Sequence, residues 1–316
     1  MKCIVCGKGE ASKALKVCRE CILKGKGKSF IEAAHRSIPK NGRKCTICGN
    51  SCGIEEGKEG FCRLRVGGKK GIISYSDKEK AIGEYYYDAL PTNCVASWVC
   101  GKKEGYNLAV FYGACNFDCL FCQNWIYHEM AAKKTPIMEA KELVRAVEKA
   151  TCICFFGGDP SCQIEHALNV AEKSTATVCW ETNGNFSPKF LSRIADFTDG
   201  IIKFDLKAWN ESLHIALCGV SNKNTLRNFE WLASRCSMAA STLLVPYYIT
   251  TEEVYRIAEF IASIDENIPY SLLAFYPSHK MNDLPFTTKK QAEECYSAAI
   301  KAGLKRVKIG NVHLIR

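Results

Sequence analysis

The chain has 316 residues, 47% hydrophobic and 24% charged, a globular composition long enough for one large domain plus small appendages. No apolar run approaches the ~20 residues of a membrane span. The opening Met1-Lys2-Cys3-Ile4-Val5-Cys6 lacks a signal peptide's apolar core, so a cytoplasmic protein is expected. Cysteine is the outlier at 20 residues, and many fall in Cys-x-x-Cys pairs, too close for ordinary cross-links and well spaced for metals. Residues 1–80 hold 19 Lys and Arg against 8 Asp and Glu, so the basic excess of the whole chain sits in its cysteine-rich front end.

In chain order, residues 1–28 form a first module. Cys3-x2-Cys6-x11-Cys18-x2-Cys21 is a four-thiolate pattern close to zinc-ribbon spacing. Lys24-Gly25-Lys26-Gly27-Lys28 reads as a linker, and Ser29 is expected to cap a short helix from Phe30 to His35. Residues 29–105 form a second cysteine-rich module and connector. Its Cys45-x2-Cys48-x3-Cys52-x9-Cys62 suits zinc or a second iron–sulfur cluster. Cys94 and Cys100 are spare, or alternative ligands of that second site. The stretch from Tyr85 to Gly105 has no assigned structure.

Residues 106–316 alternate strands and helices. Strands are expected at Leu108–Tyr112, Ile153–Phe156, Thr177–Trp180, Ile201–Phe204, Thr242–Val245, Ser271–Phe275 and Val307–Leu314. Amphipathic helices lie between them, at Glu139–Lys149, Ile164–Glu172, Pro188–Ala195, Thr225–Ser234, Glu252–Ile264 and Lys289–Ala302. Such units imply an α/β fold, a partial (β/α) barrel with a parallel sheet and helices outside. Cys152, Cys154, Cys162, Cys179, Cys218, Cys236 and Cys295 are scattered through it and read mostly as small buried apolar residues.

Cys115-x3-Cys119-x2-Cys122 follows the first barrel strand. Three thiolates account for three irons of a cubane that ordinarily takes four, which leaves one iron open for chemistry. A zinc site would need a fourth ligand, and the best neighbour is His128. The motif, with the aromatic Phe121 before its last cysteine and Gln123-Asn124-Trp125 after it, resembles the radical S-adenosylmethionine (SAM) superfamily. It is most similar to its AmmeMemoRadiSam and pyruvate formate-lyase activating enzyme branches.

That resemblance implies a 4Fe–4S cluster on Cys115, Cys119 and Cys122 that cleaves SAM reductively to a 5′-deoxyadenosyl radical. It implies further that Phe156-Gly157-Gly158-Asp159-Pro160 stands for the family's Gly-Gly-Glu segment beside the SAM amino group. Glu181-Thr182-Asn183-Gly184, Lys203-Phe204-Asp205-Leu206-Lys207 and Gly219-Val220-Ser221-Asn222 resemble activating-enzyme segments. Carried across, Glu181, Thr182, the Lys203 carbonyl and Asp205 would hold a monovalent cation, and Asp205 and Lys207 would touch SAM. Phe121, Gly157, Gly158, Asp159, Asn183 and Tyr276 complete the expected cofactor contacts. Tyr276 stands where the family has a SAM-contacting His, with His279 one loop step later. The terminal Ile309-Gly310-Asn311-Val312-His313 also resembles family members.

Independently of the family, these segments all fall at the C-terminal ends of successive predicted strands, the active-site face of (β/α) barrels. The expected partners are a flavodoxin- or ferredoxin-like electron donor and a protein substrate docked on the basic front end. A peptide, RNA or small molecule is the alternative substrate, with nucleic acid less favoured because no aromatic-interleaved binding motif is present. A catalytically inactive zinc-ribbon interaction protein is the rival of a different class.

Overall fold

The structure is a computed structural model and describes residues 1–92 and 94–316. Among the described residues the main sheet has nine strands: β1 (Lys80–Ala89), β2 (Tyr106–Tyr112), β3 (Ile137–Glu139), β4 (Cys152–Gly157), β5 (Thr177–Thr182), β6 (Ile201–Asp205), β7 (Ser237–Leu244), β8 (Tyr270–Ala274) and β9 (Val307–Gly310). Their spatial order is β9-β8-β7-β6-β5-β4-β2-β1-β3. From β2 to β9 every pairing is parallel, while β1 runs antiparallel to both β2 and β3. The order has two free ends, so the barrel is partial.

Parallel strands buried on both faces need apolar residues on each. In β4, Ile153 and Phe155 are fully buried on one face, while Cys152 and Cys154 take the other. The helices cover the outer face with single apolar stripes; in Thr251–Ile264 the stripe is Val254, Ile257, Ala258 and Ile261.

The seven expected strands are all present, with shifted ends. β7 begins at Ser237 rather than Thr242, because Met238-Ala239-Ala240 carries little β propensity and is held by pairing to β6 and β8. The last strand stops at Gly310, and Val312–Leu314 is a 3₁₀ turn. The unassigned region begins within β1, whose Tyr85, Tyr86 and Tyr87 lie beyond its three-residue pairing with β3 and are all exposed. A run exposed on both faces has no period-two pattern to read. Helix Glu211–Cys218 was also illegible; Asn210 caps it by accepting from the Leu213 N–H at 3.1 Å.

Both front modules pack on the barrel. In the first, Ser12 N–H donates to the Tyr248 hydroxyl at 2.9 Å, that hydroxyl donates to Val17 O at 3.1 Å, and Arg19 pairs with Glu252 at 2.7 Å. In the second, Gly49 N–H donates to Asn185 O at 2.9 Å, and Asn50 Nδ2 donates to Asn116 O at 2.7 Å. The second module thus touches the loop that carries Cys115.

Candidate active site

The ends of β2, β4, β5 and β6 converge on one cavity of about 630 Å³. Its wall includes Cys115, Cys119, Cys122, Phe121, Gly157, Gly158, Asp159, Glu181, Thr182, Asn183, Lys203, Asp205 and Lys207. The two glycines are required by a close approach of backbone to backbone. A Cβ on Gly157, at φ +110°, would lie 2.5 Å from Tyr112 N, and one on Gly158 would lie 2.4 Å from Ala114 O. The bare backbones lock together: Gly158 N–H donates to Tyr112 O at 2.8 Å and Asp159 N–H to Ala114 O at 2.7 Å. This strap fixes the chain just before Cys115.

Asp159 is a buried clamp. Its carboxylate accepts from Ser161 N–H at 2.9 Å, Thr182 Oγ1 at 3.0 Å and Asn183 N–H at 2.7 Å, joining the ends of β4 and β5. Asn183 reaches back to the cysteine loop, donating through Nδ2 to Asn116 Oδ1 at 2.7 Å and lying 3.6 Å from Cys115 Sγ. Phe117 N–H also points at Cys115 Sγ, at 3.4 Å. N–H groups aimed at a sulfur stabilise a thiolate and tune a bound iron–sulfur cluster.

Burial pushes the Cys115 thiol well above its ordinary range and the Cys122 thiol to about 12. Without a cation these thiols stay protonated, so loading metal releases protons. Only Cys3, Cys6, Cys18 and Cys21, among the described residues, gather three or more metal-ligating atoms within 4.8 Å of one another. A single zinc, with Zn–S bonds of ~2.3 Å, needs that tight a set. The wider spread of Cys115, Cys119 and Cys122 around a cavity fits a cluster whose thiolates bind separate irons.

Opposite the thiols, Lys207 Nζ donates to Asp205 Oδ2 at 2.6 Å and sits 5.9 Å from the Phe121 ring centre. Burial works against this ammonium, but Asp205 and Cys119 more than restore it and raise its pKa. Burial pushes the Glu181 carboxyl up, against the pull of Lys203 and Lys207. The Thr182 hydroxyl is turned to Asp159, and Asp205 already faces an ammonium. Two of the oxygens expected around a monovalent cation are therefore engaged elsewhere.

Residues 109–261 match the family model described as the Radical SAM superfamily. They are a radical SAM domain. The chain is an enzyme of the radical SAM class, which implies a 4Fe–4S cluster and SAM as its cofactors. It is 26% identical over 300 residues to an uncharacterized protein of Methanocaldococcus jannaschii, covering 88% of this chain and 84% of that one. It is also 26% identical over 195 residues to the pyruvate formate-lyase 1-activating enzyme of Escherichia coli, covering 56% of this chain and 78% of that enzyme. Among solved structures, the Streptococcus suis SuiB bound to precursor peptide SuiA superposes with a TM-score of 0.52 at 14% identity. That likeness covers 63% of this chain and about half, 47%, of SuiB, and it concerns the fold alone.

Outside the matched segment, the four front cysteines of the radical SAM enzyme meet as their spacing implies; Cys6 and Cys18 Sγ lie 3.7 Å apart. The Cys45, Cys48, Cys52 and Cys62 set encloses a separate small pocket with the buried Arg65. A fifth cysteine joins it: Cys162, from the turn after Asp159, lines the same pocket. Cys94 and Cys100 do not line that pocket; they line the barrel cavity.

Tyr276 stands outside the cavity wall, half exposed, with its ring edge-on to Phe286. His279 is also outside the wall, stacked with Trp125 and His128. Conversely, the terminal residues Ile309 to His313 are part of the wall. Cys152, Cys154 and Cys179 line the same cavity instead of filling an apolar core. Their alternation along β4 with Ile153 and Phe155 was the available signal, since residues i and i+2 of a strand share one face.

Proposed function

We propose that Cys115, Cys119 and Cys122 hold the 4Fe–4S cluster of this radical SAM enzyme and that its substrate is a protein. The carrying observation is that the three thiols and the ends of four successive strands share one cavity. Cys115, Cys119 and Cys122 would hold the cluster, which when bound would supply the electron for reductive cleavage of SAM and so the means of hydrogen abstraction from the substrate.

The chain's residues prepare that site. The Gly157–Gly158 strap and the Asp159 clamp hold the cysteine loop against β4 and β5. Asn124 Nδ2 donates to Gly157 O at 3.1 Å and fixes that carbonyl beside the cavity. Lys207 offers a cation to the SAM carboxylate, anchored by Asp205. Phe121 supplies an apolar wall to the rest of the molecule, and Asn183 holds the cysteine loop through Asn116.

Support for a protein substrate comes from relatives. One is the activating enzyme of Escherichia coli. Another is a putative glycyl-radical enzyme activating enzyme of Methanocaldococcus jannaschii, 26% identical over 174 residues, covering 52% of this chain and 65% of that one. The basic front end is the docking surface in this reading, and a flavodoxin- or ferredoxin-like protein delivers the electron. Cys3, Cys6, Cys18 and Cys21 bind structural zinc, and the Cys45–Cys62 set takes zinc or a second cluster. No helix among the described residues is long and apolar enough to cross a membrane, and the reading is of a cytoplasmic protein.

The test is anaerobic reconstitution with iron and sulfide, followed by dithionite and SAM. 5′-Deoxyadenosine from the wild type and none from Cys119→Ala is expected, because two thiolates do not retain the cubane. Equal SAM cleavage by Cys119→Ala overturns the assignment.

A further inference from the structure

The barrel cavity contains five thiols that no step above uses. Cys152 and Cys154 lie on the inner face of β4, and Cys179, on β5, pairs in register with Cys154. The segment after β1 folds into the barrel opposite them. Trp98 Nε1 donates to Ser271 Oγ at 3.1 Å, Ser271 Oγ donates to Val95 O at 2.9 Å, and the Arg306 and Lys308 cations lie 5.9 Å from the Trp98 ring centre. That seating places Cys94 and Cys100 on the wall of the same cavity as Cys152, Cys154 and Cys179. All five are free thiols.

Their surroundings are polar. Cys152 Sγ donates to Asn107 Oδ1 at 3.4 Å. Lys203 on β6 is 3% exposed, and its Nζ donates to Cys154 Sγ at 3.1 Å. Glu181 is on the same wall. A cysteine used as a small apolar residue packs among apolar neighbours; these line a cavity beside an amide, an ammonium and a carboxylate. An ammonium taken out of water costs several kcal/mol unless a negative group faces it, and a neutral thiol is a poor counter-charge.

We propose that Cys94, Cys100, Cys152, Cys154 and Cys179 supply the ligands of a further iron–sulfur cluster inside the barrel, with Lys203 as its counter-charge. A thiolate-ligated cluster is anionic and adds to Glu181 as counter-charge for the buried ammonium. A single zinc does not fit, because no three of these sulfurs lie within 4.8 Å of one another. A cluster carries its thiolates on separate irons and accepts the wider spacing. Cys45, Cys48, Cys52, Cys62 and Cys162 line a different pocket, so the two sets compete for no residue.

The test counts metal in the full chain and does not depend on SAM cleavage. The background is Cys115→Ala/Cys119→Ala/Cys122→Ala, which removes the SAM cluster. Two sets of changes are added to it separately: Cys152→Ser/Cys154→Ser/Cys179→Ser within the strands, and Cys94→Ser/Cys100→Ser on the inserted segment. Each protein is reconstituted anaerobically with ferrous iron and sulfide, and iron, acid-labile sulfide and zinc per chain are measured. The three-residue set leaves two thiolates and should remove two to four irons with matching sulfide and abolish one signal in the paramagnetic resonance spectrum of the reduced protein; the two-residue set leaves three thiolates, enough to hold a cubane, and should shift that signal. The two-residue set guards against misfolding, since Cys94 and Cys100 are only half-buried. Iron and sulfide unchanged by the three-residue set in a folded protein, a signal left unshifted by the two-residue set, or zinc in place of iron, overturns the proposal.

Discussion

Lys207 Nζ lies 2.6 Å from Asp205 Oδ2, and the other oxygen of that carboxylate accepts from Ser241 Oγ on the neighbouring strand β7. The ammonium is held at the cavity wall from β6 with its position fixed through β7. Asp205→Asn keeps the shape but removes the charge that holds Lys207. SAM affinity of the reconstituted protein should fall about tenfold, near 1.4 kcal/mol, the range for a hydrogen bond to a charged group. Lys207→Met should cost at least as much, with iron content unchanged in both. Calorimetric titration with SAM giving wild-type affinity for either variant would contradict the role assigned to this pair.

Gly158 offers a structural test. An added Cβ meets the Ala114 carbonyl oxygen at 2.4 Å, and backbone does not move aside as a flexible side chain does. Gly158→Ala should destabilise the protein by about 1–3 kcal/mol, the cost of overpacking, and displace the loop ahead of Cys115. The expected signs are a lower melting temperature and incomplete iron loading. Full loading at unchanged melting temperature would show that the strap does not position the cysteine loop.

The first module should bind one zinc per chain independently of iron. Aerobically purified protein should keep this zinc, because thiolate zinc is redox-inert. Cys6 is the exposed member of the four, so Cys6→Ser removes a ligand with little disturbance of packing. Loss of one zinc per chain by elemental analysis, with a lower melting temperature, is expected. Retention of that zinc would place it elsewhere, with the Cys45–Cys62 pocket the next candidate.

Two buried histidines set an acid limit. His166 has no exposed surface, and burial lowers its pKa to about 4 from the ordinary 6.5; burial does the same to His214. The unfolded chain takes up these protons first, so their contribution to stability is complete above pH ~6.5 and lost as pH falls toward 4. Between pH 7.5 and 5.5 each costs about 1.3 kcal/mol. His166→Gln should show a smaller fall in melting temperature over that interval than the wild type. An identical fall in both proteins would remove His166 from the acid response.

The docking role of the front end needs charge reversal rather than deletion. Removing residues 1–28 would uncover Tyr248, which is fully buried, and strip Arg19 from Glu252 and Glu253. Lys24, Lys26 and Lys28 are exposed, and their replacement by Glu leaves the fold intact. SAM cleavage without substrate should be unchanged, while modification of the protein substrate should slow. Added salt should slow the wild type similarly, since screening acts over ~8 Å at physiological ionic strength. Equal modification by both proteins at low and high salt would leave the lysines only a solvated surface.

Sequence alone determined what local spacing controls. Cys3, Cys6, Cys18 and Cys21 pair within short turns, so their meeting was legible. So were the strand-end motifs, because apolar strands and amphipathic helices alternate with a period that fixes which end of the barrel each loop occupies. Only the tertiary structure decided what depends on residues far apart in the chain. Cys162 meets Cys48 and Cys62 because the second module docks on the turn after β4. Cys94 and Cys100 face Cys152, Cys154 and Cys179 because Trp98 is seated on β8. The side chain of Asp159, expected at the cofactor, instead clamps β4 to β5. Tyr276 lies off the wall because the chain after β8 turns its ring onto Phe286. Side-chain direction in such places is set by packing between distant segments, which no spacing along the chain encodes.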